Sequence, residues 1–336
     1  MNTSARLGFI GVGPMGRDLL KQALQNPKAS VCALCDIDET ALQEAQQLID
    51  DAVPTYAEHG VMLEREGLDG VVVAAPQYAH AELSIAALRA GVHVFCEKPM
   101  ALSVTQCEGM IAAARESGKE LMIGQVLRYV NHCRYMLELV RSGELGNPLA
   151  MHVRRTGGKW GGWRKKWRLQ RDLCGGALFE VNVHEIDLMC CILGNPVRVS
   201  AVGGHYVNDE IDYEDLISAQ LTFPDGRIGS VTSSSCDFVG QNTGEIYLEQ
   251  GSIHYSGRMA EVLVCKEDED IQHVPYDEIG KDWEGATFRE IREFIETCLG
   301  DHPSTIPGQE GMRNVEICQA AYLSVREKRP IELPLT

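Results

Sequence analysis

Two short stretches of this chain carry side chains suited to chemistry on a hydroxyl group. In the first, Glu97-Lys98-Pro99 follows directly on the apolar run 92–96. Such a run reads as a buried strand, and open α/β sheets bind ligands beyond the carboxyl ends of their strands, where this lysine falls. In the second, Glu180, His184 and Asp187 recur at offsets of four and three residues. On a helix over 177–193 that spacing makes one polar stripe, with Leu178, Val181, Leu188 and Met189 as apolar flanks. Gly175-Gly176 ahead of it lets backbone pass close to a ligand. A base with pKa near working pH is what removes a hydroxyl proton. A nearby cation stabilises the developing oxyanion and disfavours imidazolium, which keeps a histidine base neutral. A lone helical histidine is more often solvated or satisfied in a core; the stripe and the glycine pair single this one out. Glu97 either orients the lysine or is a plain surface carboxylate at a strand end.

The elements that must position Lys98 are legible upstream. Strands are expected at 7–10, 30–36, 53–56, 69–75, 92–96 and 121–123, and helices at 15–25, 39–49, 79–90 and from Ser103 to Gly118, the last opened by a Ser103/Gln106 capping box. Alternating β and α with near-continuous apolar strands means a doubly wound parallel sheet. About eighty residues before Lys98 stands Gly11-Val12-Gly13-Pro14-Met15-Gly16, between the first strand and first helix. Gly11 permits the tight turn, Gly13 lets backbone approach a pyrophosphate, and Gly16 allows close helix–sheet packing. Asp36, twenty residues beyond Gly16 at the end of the second strand, can accept both ribose hydroxyls and would repel a 2′-phosphate. The expected cofactor is therefore NAD rather than NADP.

At this point the chain resembles the glucose-fructose oxidoreductase, inositol dehydrogenase and MocA (Gfo/Idh/MocA) family of oxidoreductases. The resemblance rests on residues 11–16, Pro76-Gln77 with His80, Glu97-Lys98-Pro99, Gly175-Gly176 followed by His184, and Ala321-Tyr322 with Ser324. It implies an N-terminal Rossmann domain (1–124), an α+β substrate and oligomerisation domain with a large, mostly antiparallel open sheet (125–305), and a C-terminal helix (306–336) returning to the first domain. It implies cofactor contacts from Gly11, Gly13, Pro14, Met15, Gly16, Asp36, Ala75, Pro76, Gln77, His80, Glu97, Lys98 and Gln125. Lys98 would touch the reacting hydroxyl, the bond before Pro99 is often cis, and His184 becomes the leading candidate base. Glu180 departs from the family's usual Asp, and Asn182 from a frequent glycine. Glu180 is still expected to bind a substrate hydroxyl or to orient His184, with Asn182 beside it.

Beyond residue 148 the pattern turns to strands at 150–155, 197–207, 216–223, 228–235, 246–248 and 262–265, with a turn signal at Phe223-Pro224-Asp225-Gly226. Few helices remain to cover both faces of such a sheet, so an open face should join subunits; a homodimer or homotetramer is expected. Between the two halves, residues 154–171 hold eight Lys or Arg, no acid, and Trp160, Trp163 and Trp167. One reading is a solvated or interface segment. The other is a substrate lid, in which Trp163 stacks on a sugar and Arg164 selects an anionic group.

The remaining bounds are consistent. At 336 residues the chain suits two domains. A net charge of −17 opposes nucleic acid and anionic membranes. No apolar run approaches a bilayer span and the N-terminus shows no signal-peptide pattern, so a cytoplasmic location is expected. The twelve cysteines fall in strand and helix patterns as small buried hydrophobes, Cys32 and Cys35 included, and no metal site is expected. These readings converge on an NAD(H)-dependent oxidoreductase acting on a secondary hydroxyl of a sugar, sugar derivative or cyclitol, an anionic one if the basic segment is a lid. Two alternatives are a redox-neutral glycosidase that oxidises transiently and eliminates, and a non-catalytic NAD-responsive binding protein.

Overall fold

The computed structural model describes residues 4–158, 166–281 and 283–335. Its contacts divide the chain into two units, Met1–Val126 with Glu284–Met312, and Leu127–Trp283 with Arg313–Thr336.

In the first unit the chain runs β1 (Ala5–Ile10), α1 (Pro14–Leu24), β2 (Ala29–Cys35), α2 (Glu39–Gln46), β3 (Thr55–Tyr56), α3 (His59–Arg65), β4 (Gly70–Val73), α4 (His80–Arg89), β5 (His93–Glu97), α5 (Val104–Ser117) and β6 (Leu121–Gly124). The strands form one parallel sheet in the order β3-β2-β1-β4-β5-β6. Strands such as β4, buried along its whole length, are apolar throughout because helices cover both faces. The order reverses between β1 and β4, and their carboxyl ends open the crevice where such sheets bind ligands. The Ser103 hydroxyl accepts the Gln106 N–H at 3.3 Å, and Gly118 closes α5 at φ 66°. The Gln106 side chain caps the Leu102 N–H at 3.0 Å, one residue earlier than a capping box requires.

A later helix, α9 (Ala286–Leu299), belongs to this unit. Phe294 packs on Phe95 of β5 with ring centroids 5.8 Å apart, and a Cβ on Gly70 of β4 would lie 2.5 Å from the Cys298 sulfur. The sequence places the first domain at 1–124 with a helix over 306–336 returning to it; the contacts instead give residues 284–312 to the first unit and 313–336, most of that helix, to the second. No βα alternation marks α9, whose buried Ile291, Phe294 and Ile295 simply need an apolar surface to cover.

The second unit contains α6 (Asn131–Ser142), β7 (Pro148–Thr156), α7 (Arg171–Cys174), a π-helical turn (Leu178–Asn182) running into α8 (Val183–Leu193), β8 (Arg198–Gly204), β9 (Leu216–Thr222), β10 (Ile228–Ser234), β11 (Gln241–Leu248), β12 (Gly251–Ser256), β13 (Glu261–Lys266), β14 (Gln272–Pro275), most of α10 (Gly308–Glu327) and β15 (Ile331–Glu332). Its nine strands lie in the order β14-β13-β12-β11-β7-β10-β9-β8-β15. Neighbours are antiparallel except β7 and β10. The inner face carries Met151, Val153, Val231, Ile246 and Ile253, all buried. It meets α8, since a Cβ on Gly229 would lie 2.2 Å from the Met189 sulfur and Arg155 pairs with Glu185. Along the other face run polar pairs, His152 Nδ1 with Ser230 Oγ at 2.7 Å and Ser218 with Thr232 at 3.1 Å, and Val202 is 73% exposed. The sequence reading lacks β12, β14 and β15 and starts β11 five residues late. Gly251–Ser256 offers only Ile253 and Tyr255 as inward apolar residues, too weak an alternation to stand out.

No helix among the described residues is long and apolar enough to cross a membrane. The cysteines are free thiols, and burial pushes those of Cys35, Cys96 and Cys133 up to about 12.

Candidate active site

The turn from β1 into α1 is shaped by what a side chain would strike. Gly11 sits at φ +85°, and a Cβ there would come within 2.6 Å of the Ala75 backbone nitrogen; one on Gly16 would come within 2.0 Å of the Gly11 carbonyl oxygen. Pro14 opens α1, no side chain caps it, and its first turn carries no acid. The positive end of the helix dipole is thus left for an anion such as a diphosphate. Asp36 closes the other side. Its Oδ2 accepts the Val12 N–H at 2.8 Å and its Oδ1 the Asp38 N–H at 2.9 Å. Each oxygen keeps a lone pair for a ribose hydroxyl. These groups fit the adenosine diphosphate half of a dinucleotide.

Across the crevice, Ala75 and Pro76 follow β4, and Gln77 is buried at the start of α4's approach. His80, also buried, has Nε2 2.8 Å from the Ala75 carbonyl and Nδ1 2.8 Å from the Pro99 carbonyl. Burial is the largest effect on its ring and lowers the pKa against the pull of the two carbonyls, with Lys98 lowering it further. A neutral ring donates to one carbonyl at a time. His80 therefore ties the end of β4 to the turn after β5. In that turn the Lys98–Pro99 bond is cis. Glu97 Oε2 accepts the Lys98 backbone N–H at 3.1 Å. Burial raises the Glu97 carboxyl to about 7 although Lys98 pulls it down. Glu97 is thus a buried carboxyl beside the lysine, not a solvated one at a strand end. Gln125, next to β6, is buried.

In the second unit the expected helix over 177–193 begins as the π-helical turn Leu178–Asn182. Such turns insert an extra residue into the helical repeat and recur at functional sites. Glu180, Asn182 and His184 are all buried. Glu180 Oε1 lies 3.2 Å from Arg168 Nε. The stripe read from the sequence divides here. Asp187 accepts two hydrogen bonds of 2.6 Å from Arg128 and one of 2.8 Å from Asn314, so it anchors the helix rather than facing a ligand.

Arg168 is the functional-site neighbour that sequence reasoning did not assign, although it lies in the basic segment. Trp167 packs against Cys174, Ala177, Ile211 and Tyr213, so that indole belongs to a small core and is not a stacking platform. Trp163 and Arg164, expected substrate contacts, lie outside the described residues, as does Trp160. Lys98 belongs to the first unit and Glu180, Asn182 and His184 to the second.

Comparison with known proteins agrees with this architecture. Residues 5–125 match the model for an oxidoreductase family with an NAD-binding Rossmann fold, and residues 133–254 match that of the GFO/IDH/MocA C-terminal domain. The 2,7-anhydro-N-acetylneuraminate hydratase of Escherichia coli (strain K12) is 25% identical over 97% of this chain and 96% of its own. Myo-inositol 2-dehydrogenase of Thermotoga maritima is 25% identical over 98% of both chains. Among solved structures, levoglucosan dehydrogenase in complex with NADH and levoglucosan has the same fold, with a TM-score of 0.88 at 20% identity over 99% of this chain and 100% of that one. The glycine turn, the aspartate after β2, the lysine after β5 and family matches in both halves lead to one conclusion: this chain belongs to the Gfo/Idh/MocA family of oxidoreductases, with an NAD-binding Rossmann domain over residues 5–125.

Proposed function

We propose that the protein is an NAD-dependent dehydrogenase of a secondary hydroxyl on a sugar, sugar derivative or cyclitol. The observation that carries this reading is Lys98, held at the carboxyl end of β5 beside the buried Glu97, in a domain of the NAD-binding family. NAD, when bound, supplies the two-electron acceptor. Gly11, Gly13, Pro14, Met15 and Gly16 hold its diphosphate, Asp36 its adenosine ribose, and Ala75, Pro76, Gln77 and Gln125 line its path. Lys98 donates a hydrogen bond to the reacting oxygen, and His184 takes the hydroxyl proton. Glu180, paired with Arg168, orients His184 or binds a neighbouring hydroxyl, with Asn182 beside it. Homology to a myo-inositol 2-dehydrogenase supports a polyhydroxylated substrate.

The test is NADH formation on a panel of sugars and cyclitols. Lys98→Met and His184→Asn should each lower kcat by about two orders of magnitude or more while the Kd for NAD holds. Near-normal turnover in His184→Asn removes it as the base. NAD(H) should bind more tightly than NADP(H), and Asp36→Ser should shrink the difference. Equal affinities in the unaltered protein refute that role for Asp36.

A second reading is favoured by the hydratase relative, whose named reaction changes no net oxidation state. Here the substrate hydroxyl is oxidised transiently, the new carbonyl acidifies the C–H beside it, a base removes that proton as the leaving group departs from the next carbon, water adds across the double bond so formed, and the hydride returns to the carbonyl. Leaving-group release without net NADH distinguishes this route from simple dehydrogenation.

A further inference from the structure

The π-helical turn that carries Glu180 and leads into His184 begins against a side chain from a distant part of the sequence. Tyr322, buried on α10, accepts the Leu178 N–H at 3.0 Å through its hydroxyl oxygen. That N–H lies in the first turn of the helical segment, where backbone donors have no partner within the helix. Leu178 is fully buried, so water does not serve it. The surroundings hold the phenol in place from three sides. The Phe179 ring stacks on it with centroids 6.2 Å apart and planes 13° apart. The Arg171 guanidinium lies 4.4 Å above the ring and is itself paired with Glu214. Gly176, at φ +95°, gives the hydroxyl its room, since a Cβ there would stand 2.6 Å from it.

A π-helical turn shifts the direction of every following side chain relative to an α-helix. Where the turn starts therefore decides where Glu180, two residues on, and His184, six residues on, are aimed. We propose that Tyr322 is a positioning residue for Glu180 and His184: by accepting the Leu178 N–H it fixes the starting point of the π-helical turn. The proposal rests on the reading of those two residues as substrate-facing groups. Tyr322 itself touches no substrate and moves no proton.

Tyr322→Phe removes one oxygen and keeps the ring for Phe179 and Arg171. In isotope-labelled protein, with the His184 ring signal assigned by its loss in His184→Asn, Tyr322→Phe should displace that signal. It should also lower kcat by about tenfold or more, with the Kd for NAD changed by less than about twofold. Arg171→Gln, which loosens the ring and leaves the hydroxyl intact, should produce a smaller displacement of the same sign and serves if Tyr322→Phe does not fold. A Tyr322→Phe protein with a lower Tm but an unmoved His184 signal and unchanged kcat would overturn the proposal and leave Tyr322 a packing residue. Normal turnover in His184→Asn would instead remove His184 as the base; displacement of the ring signal in Tyr322→Phe would still support the positioning role.

Discussion

The proton on Glu97 links the acidity of the medium to both folding and turnover. Burial lifts this carboxyl to about 7, and behind it Glu290 of α9 is raised well above its ordinary range, first by burial and then by the charge of Glu97. Two carboxyls in one dry place do not ionise together readily. In the unfolded chain Glu97 ionises near the ordinary carboxyl value of 4.5; in the folded protein it keeps its proton up to about 7. Its contribution to stability is therefore present below the first value and is lost as pH rises through the second. Glu97→Gln, which never ionises, should raise Tm relative to the unaltered protein at pH 8 and give little gain at pH 5, as thermal unfolding at the two pH values would register. A gain that is equal at both would mean that Glu97 titrates normally. Turnover should respond in the opposite sense, because protonating Glu97 removes the negative charge beside Lys98. An acid limb near neutrality is expected in the kcat profile, and Glu97→Gln should make that limb shallower, leaving the part that belongs to the His184 base.

At the scale of elements, the Asp187 carboxylate anchors α8. Asp187 is buried, and the guanidinium of Arg128 would be left without its bidentate acceptor if that carboxylate were removed. Asp187→Ala should therefore cost about 3–5 kcal/mol in denaturant unfolding. A loss below about 1 kcal/mol would show that Arg128 finds another partner. Asp187 is also where the limits of sequence reading are plainest. Offsets of four and three residues assume 3.6 residues per turn, and the π-helical turn breaks that assumption at Glu180 while leaving the later residues helical. Nothing local to residues 178–182 announces the extra residue, because its support comes from Tyr322 and Arg171. The glycine turn, Asp36 and the lysine after β5 were legible because each depends on a strand, a turn and a helix adjacent in sequence. The same holds for Ser103 and Gly118 at the ends of α5. His80 was assigned to the cofactor from its motif alone; its two carbonyl partners, nineteen and five residues away, could not be read from spacing. The pairing of Arg168 with Glu180 is hidden for the same reason, although Glu180 stands out in the sequence and Arg168 lies in the basic segment.

At the scale of the molecule, neither unit is continuous in sequence. The first one takes α9 from about 160 residues after β6, and α9 covers Phe95 and Gly70 with Phe294 and Cys298. A fragment ending at residue 126 should therefore expose that part of its sheet and bind a hydrophobic dye, and co-expression with 284–312 should suppress the signal. A fragment that unfolds cooperatively at the Tm of the full chain would contradict this. The open face of the nine-stranded sheet, with Val202 exposed, should be covered by a second copy, so light scattering should return at least twice the chain mass, and Val202→Glu should reduce it. The place of β7 in that sheet has a consequence for biosynthesis. It lies between β10 and β11, both made much later. While a ribosome adds the roughly seventy residues before β10, about 4–14 s at usual bacterial to eukaryotic speeds, the emerging β7 has both edges unpaired and its apolar Met151 and Val153 uncovered. Nascent chains stalled in that interval should be captured by chaperones that bind extended apolar segments, and chains stalled beyond residue 248, where β11 ends, should be released from them.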